Sequence, residues 1–249
     1  MTYCLGIKIR DGIVGLSDGR ITSGTQLSSA RKVTMMGNGG NRFFIMSSGL
    51  RSVRDKTQAY LRRDMTRRHG DTFPSMLEAV NAFTQCLRQV AEEDRESLER
   101  SRLAFNLHAI IGGQLAEDAV PTMYLVYPEG NWIEVDERTP YLSIGATGYG
   151  KPILDRALRF DTPMQTALKL AYLSFDSTRF SSNDVGFPID LLSYTPEGRA
   201  WREKTFDYDD LLEQRQWWNQ HITELVRRMP DGPWTDNLVP AAGKALAES

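Results

Sequence analysis

Apolar positions alternate from Tyr3 to Ile9, with Tyr3, Leu5, Ile7 and Ile9 on one side of an extended segment. Asp11-Gly12 is hairpin-turn chemistry, and Ile13 to Ser17 reads as the return strand. After a turn at Asn38-Gly39-Gly40-Asn41, Arg42 to Ser47 is predicted as a strand. The period then lengthens: Leu50 to Arg68 reads as one helix and Pro74 to about Arg100 as a second. Alternation returns over Leu103 to Gln114, then over Thr122 to Tyr127, Trp132 to Val135 and Tyr141 to Ile144. Gly148 to Arg159 and Pro163 to Arg179 are predicted helices, and Ile189 to Tyr194 and Trp201 to Phe206 predicted strands. Strands, two helices, strands, two helices, strands is the order of an α+β chain folded as a four-layer αββα sandwich. A doubly wound parallel sheet would alternate strands and helices singly.

Length and charge narrow the reading. The 249 residues, 41% of them hydrophobic, suit one domain at 2–208 followed by a C-terminal helix and tail at 209–249, expected to make an oligomer contact. A formal net charge of -2 offers no bulk attraction for nucleic acid or a membrane surface, so neither is expected as a partner. Cys4 and Cys86 lie far apart, and His69, His108 and His221 form no cluster. No metal or other cofactor is expected, and the cysteine usage fits a reducing cytoplasm.

Thr2 is the candidate reactive residue. With Met1 removed, its hydroxyl and a free α-amine would belong to one residue. A hydroxyl is a poor nucleophile until a neighbour accepts its proton, and an α-amine titrating near ~8 is partly neutral at cytoplasmic pH. A tight hairpin sets the end of its second strand beside the start of its first, so Asp18 falls next to Thr2. Arg20 and Lys32 follow. A Lys lowers proton affinity around a nucleophile, and an Asp holds the Lys; an Asp at a strand end is also an ordinary turn former. Ser47-Ser48-Gly49 lies where a strand gives way to a helix. Gly49 there offers an N–H to a developing oxyanion, and Ser48 as a plain helix cap is compatible with that.

Thr2 followed by Asp18-Gly19-Arg20-Ile21-Thr22-Ser23-Gly24 resembles the β-subunits of the proteasome and of the bacterial HslV-type peptidase. The opening Met-Thr-Tyr-Cys-Leu-Gly and the segment Val185-Gly186-Phe187-Pro188-Ile189-Asp190-Leu191 are similar to the Anbu (ancestral β-subunit) family of bacterial proteasome-like proteins, within the N-terminal-nucleophile hydrolases. The likeness runs from residue 2 to about residue 195. It implies Thr2 as nucleophile, the Asp18–Lys32 pair beside it, Gly49 as oxyanion donor, and Arg20 and Thr22 as support. Thr147 stands where proteasome subunits carry a Ser bound to the terminal amine; a helix-capping Thr147 is the other reading. Ser181 and Asp184 stand at the family's Asp and Ser positions, the two residue types in reversed order.

The resemblance implies a threonine peptidase acting on peptides or unfolded protein. It would be enclosed in a homo-oligomeric ring or helical ring-like stack; the sequence names no unfoldase to feed it. An amidase on a small amide, or a non-catalytic assembly protein on the same fold, are the alternatives. The reversed Ser181/Asp184 order speaks for the latter. Arg51, Arg54, Arg62, Arg63, Arg67 and Arg68 make a basic helix, read as a solvated face or as a contact for an acidic helix carrying Glu92 to Glu99. Trp217-Trp218 lie in an otherwise polar helix from Asp209 to Arg228. Pro230, Pro233 and Pro240 exclude a single helical tail.

Overall fold

The opening alternation becomes β1 (Tyr3–Ile9), paired antiparallel with β2 (Gly12–Asp18). The computed structural model describes residues 2–23, 26–68 and 72–238. Alternation predicts one buried face, yet every β2 residue is buried, as is all of β1 except half-buried Lys8. The layering explains this. Tyr3, Leu5 and Ile7 point to one neighbouring layer while Cys4 and Gly6 point to another, so neither face meets water.

The next strands are β3 (Arg20–Ser23) and β4 (Gln26–Ser29), a small separate hairpin, then β5 (Val33–Asn38) and β6 (Asn41–Gly49). Two helices follow, α1 (Arg51–Arg68) and α2 (Met76–Arg100). The chain returns through β7 (Leu107–Gly113), β8 (Thr122–Val126), β9 (Trp132–Glu134) and β10 (Tyr141–Gly145). Then come α3 (Lys151–Ala157), α4 (Met164–Ser181), β11 (Ile189–Thr195) and β12 (Ala200–Phe206). Two five-stranded antiparallel sheets result, ordered β10-β1-β2-β11-β12 and β5-β6-β7-β8-β9.

Side-chain alternation along β6 shows how the layers stack. Phe43 and Ile45 join Val53, Leu61, Phe83, Leu87 and Ile111 in the core beneath α1 and α2. Phe44 and Met46 join Cys4, Ile13, Ile110, Leu192 and Tyr194 in the core between the sheets. Burying each such side chain is worth about 1.5–3 kcal/mol. Helix α4 covers β1 and β2 from the other side. Helix α2 forms where its sequence says it should: Ser75 accepts the Glu78 N–H at its start, and Met76, Ala79, Val80, Phe83, Leu87 and Val90 keep a helical period.

Several boundaries move. The strand predicted from Leu103 begins at Leu107, because the chain leaves α2 through Arg102 at φ 59° and Phe105 tucks under the Arg95 guanidinium, 4.6 Å away. Helix α3 is shorter than its pattern, ending at Ala157. The chain divides into two units, Met1–Tyr208 and Asp209–Ser249. The second holds α5 (Leu212–Arg227) and a short α6 (Pro233–Leu238) beyond a break at Met229–Gly232. Trp217, Leu225, Val226, Met229, Trp234 and Leu238 are all exposed there.

Candidate functional site

The hairpin geometry brings Asp18 to Thr2, and the contacts are specific. Thr2 Oγ1 donates to Asp18 Oδ1 at 2.8 Å, and the Tyr3 backbone N–H donates to the same oxygen at 2.8 Å. Lys32 Nζ donates to it at 2.6 Å and to the Arg20 carbonyl at 2.7 Å. The Gly186 N–H reaches Asp18 Oδ2 at 3.3 Å. Asp18 is 0% and Lys32 7% exposed, so this is a buried ion pair whose remaining lone pairs and protons are taken up by hydrogen bonds. Without those bonds the desolvation cost would exceed the Coulombic gain.

Lys32 lies immediately before β5, and its neighbour Arg31 fixes that segment. Arg31 meets Glu203 of β12 at 2.5 Å and Asp190 of β11 at 3.8 Å, while Arg42 of β6 meets Glu203 at 2.8 Å. Thr205 donates to Asp190 at 2.6 Å. The two sheets are thereby clasped at the edge from which Lys32 enters.

The backbone of Thr2 is equally constrained. Its carbonyl accepts the Ala146 N–H at 2.8 Å. Gly145 stands at φ 89°, where a Cβ would lie 1.9 Å from the Thr2 oxygen, so only glycine permits this approach. Thr147 follows directly; its N–H bonds the Gly145 carbonyl and its own carbonyl accepts the Lys151 N–H, which opens α3. Gly49, at φ 129°, ends the β6–β7 ladder opposite Leu107, and a Cβ there would lie 2.0 Å from the Asn106 carbonyl oxygen. Close packing therefore requires a glycine here.

The loop after α4 meets the cluster through its main chain. Arg20 donates to the Asn183 carbonyl at 2.8 Å, and the Gly186 N–H faces Asp18. Ser181 ends α4 exposed, and Asp184 is half-buried. The side chain of Thr22 and all of Met1, whose removal the sequence reading requires, lie outside the described residues. Sequence reasoning missed Tyr3, Ala146 and Gly186, because they contribute main-chain N–H groups, which carry no residue-type signal; it also missed Gly145, whose glycine-only position depends on a contact with Thr2 across the sheet.

Electrostatics around the cluster keep its neighbours neutral. Burial first, and then the charge of Asp18, pushes the Cys4 thiol up to about 12. Burial raises the Tyr3 hydroxyl well above its ordinary value, while it shares a 2.5 Å hydrogen bond with Ser174. Among the described residues no group of three or more His, Cys, Asp or Glu could hold a metal ion. No helix among them is long and apolar enough to cross a membrane.

An αββα sandwich with a threonine heading its first strand beside a buried Asp–Lys pair has the N-terminal-nucleophile hydrolase fold of the proteasome β-subunit. The proteasome-subunit family model matches residues 2–192. The helical assembly of the Anbu complex from Pseudomonas aeruginosa is 31% identical with a TM-score of 0.86, covering 94% of this chain and 100% of that one. An Anbu (Gly-1) mutant from Hyphomicrobium sp. strain MC1 is 29% identical with a TM-score of 0.83, covering 93% and 99%. Anbu from Yersinia bercovieri is 28% identical with a TM-score of 0.81, covering 92% and 98%. None of the curated proteins matches. The chain belongs to the proteasome-subunit family and, within it, to the Anbu proteins.

That membership corrects the expectation of a threonine peptidase or amide hydrolase. The whole-chain matches are to Anbu proteins, which share a fold with proteasome β-subunits, and a shared fold does not carry a reaction. Thr2 itself is buried, and its hydroxyl donates to Asp18 beside Lys32, the neighbourhood that the first hairpin was expected to give it.

Proposed function

We propose that this chain is a non-catalytic building block: a proteasome-subunit fold that joins copies of itself into a helical, ring-like homo-oligomer in the cytoplasm. In this reading the Thr2–Asp18–Lys32 cluster is a structural junction. It fixes the first hairpin, the segment leading into β5 and the Gly145 turn in one arrangement, and so presents a rigid subunit to its neighbours.

The observation that carries the reading is the apolar surface of α5. Trp218, Ile222 and Val226 repeat every four residues, and Trp217, His221 and Leu225 form a second stripe beside them. Trp217 is 55%, Leu225 59% and Val226 69% exposed. Soluble monomers rarely leave so much apolar side chain in water, and such surfaces mark protein contacts. The full-length similarity to a helical Anbu assembly adds support. The two free, buried cysteines suit the reducing compartment.

Mass photometry and sedimentation of the purified full chain test this. Wild type is expected to form a large oligomer, and Leu225→Glu with Val226→Glu to reduce it to small species with the secondary structure kept. A wild type that stays monomeric at micromolar concentration would overturn the proposal.

A further inference from the structure

The second sheet and the helices over it are electrically polarised from one edge to the other. Strand order runs β5-β6-β7-β8-β9, with α1 over β6 and α2 over β7 and β8. At the β5 and α1 side, residues 31–68 hold ten Lys and Arg against two Asp. At the β9 side, residues 109–137 hold six Asp and Glu and no Lys or Arg. Helix α2, between them and nearer β9, carries six acidic against three basic residues.

These charges are not all neutralised within the subunit. Arg62 and Arg67 are exposed on α1 and form no ion pair among the described residues. Glu129, Glu134, Asp136 and Glu137 are exposed along the β8–β9 turn, β9 and the chain beyond it, also without an ion pair among the described residues. Edge strand β9 places Ile133, 46% exposed, among them. The basic and acidic surfaces sit at opposite ends of one sheet, so they cannot satisfy each other inside a single copy.

We infer that the β5/α1 edge of one copy docks on the β9 edge of the next, a head-to-tail contact between unlike surfaces of the same chain. The inference rests on the assembly reading above and names the surfaces it uses. A heterologous contact of this kind repeats without using itself up and generates rings or open helices. Charge complementarity sets its direction, since like edges brought together would repel. The contact is salt-sensitive because exposed charges are screened over about 8 Å at physiological ionic strength.

The test uses charge-reversed full-length chains. Arg62→Glu with Arg67→Glu puts two negative charges where exposed positive ones stood on α1; Glu129→Arg with Glu137→Arg puts two positive charges among the exposed carboxylates of the β9 edge. Each double variant, checked for an unchanged urea midpoint, is expected to associate at least ~10-fold more weakly than wild type. Mixed one to one they are expected to co-assemble in alternation, and the chain carrying all four changes to assemble alone. Restoration in the mixture also shows that each variant is folded. Double variants that assemble like wild type, or a mixture that stays apart, overturn the head-to-tail contact while leaving assembly itself standing. A wild type that does not assemble at all removes the assembly reading and this contact with it.

Discussion

Asp18 does at residue scale what no neighbour could do alone. One carboxylate oxygen gathers the Thr2 hydroxyl, the Tyr3 N–H and the Lys32 ammonium. Removing one partner of a buried pair leaves the other charge uncompensated, so Asp18→Ala is expected to lose ~3–5 kcal/mol. Asp18→Leu combined with Lys32→Met is expected to be far milder, because no orphaned charge remains. Urea unfolding of the three proteins decides it; equal losses in the single and double variants would count against the junction role. Cys4 supplies a pH signature. Folding raises its pKa from an ordinary 9.0 to about 12, so the folded chain keeps a proton that the unfolded chain has lost. Its contribution is full below about pH 9 and declines as pH rises toward about 12, and the upward shift of Tyr3 acts in the same sense. The urea midpoint of wild type is expected to fall more steeply above pH 9 than that of Cys4→Ala. Identical slopes would assign the alkaline loss elsewhere. The Asp18 neighbourhood was legible in the sequence because a short hairpin fixes which residues face each other. Its backbone partners were not, since any residue can supply an N–H.

At the scale of elements, legibility followed the strength of the pattern. Helix α2 has a cap and a long apolar period, and its limits agree closely with the reading. Strand β5 escaped it: only Val33 and Met36 are buried, so the segment shows no clean alternation. The stretch before β7 misled in the other direction, because Leu103 and Phe105 alternate by chance while Arg102 turns the chain. The junction of β10 with β1 rests on Gly145. Gly145→Ala would force a side chain into the Thr2 carbonyl at a positive φ, and is expected to cost ~2–3 kcal/mol of backbone strain. Gly148→Ala, with nothing within 4 Å of the new atom, serves as the control and is expected to be nearly neutral. Thermal melts of both report the difference; matching melting temperatures would mean that the β10 turn relaxes around the methyl group.

For the whole molecule, the order of strands and helices was enough to set the four layers, because each amphipathic element must cover its apolar face with another. The site residues proposed from family likeness fared unevenly in space. Asp18 and Lys32 converge on Thr2, Thr147 follows the turn that holds it, and the loop carrying Ser181 and Asp184 approaches through main-chain atoms of Asn183 and Gly186. Raising salt from about 50 to about 500 mM is expected to loosen the oligomer, since the Debye length shortens severalfold over that range. An oligomer indifferent to salt would point to α5 alone as its adhesive. Sequence by itself determined the fold class, the first hairpin and the pairing of Asp18 with Thr2, because these depend on local period and turn length. Tertiary structure alone decided that β1 is covered on both faces and that Lys32 is locked to Asp18 and the Arg20 carbonyl. It also decided that opposite charge collects on opposite edges of one sheet, because these depend on contacts between segments far apart in the chain.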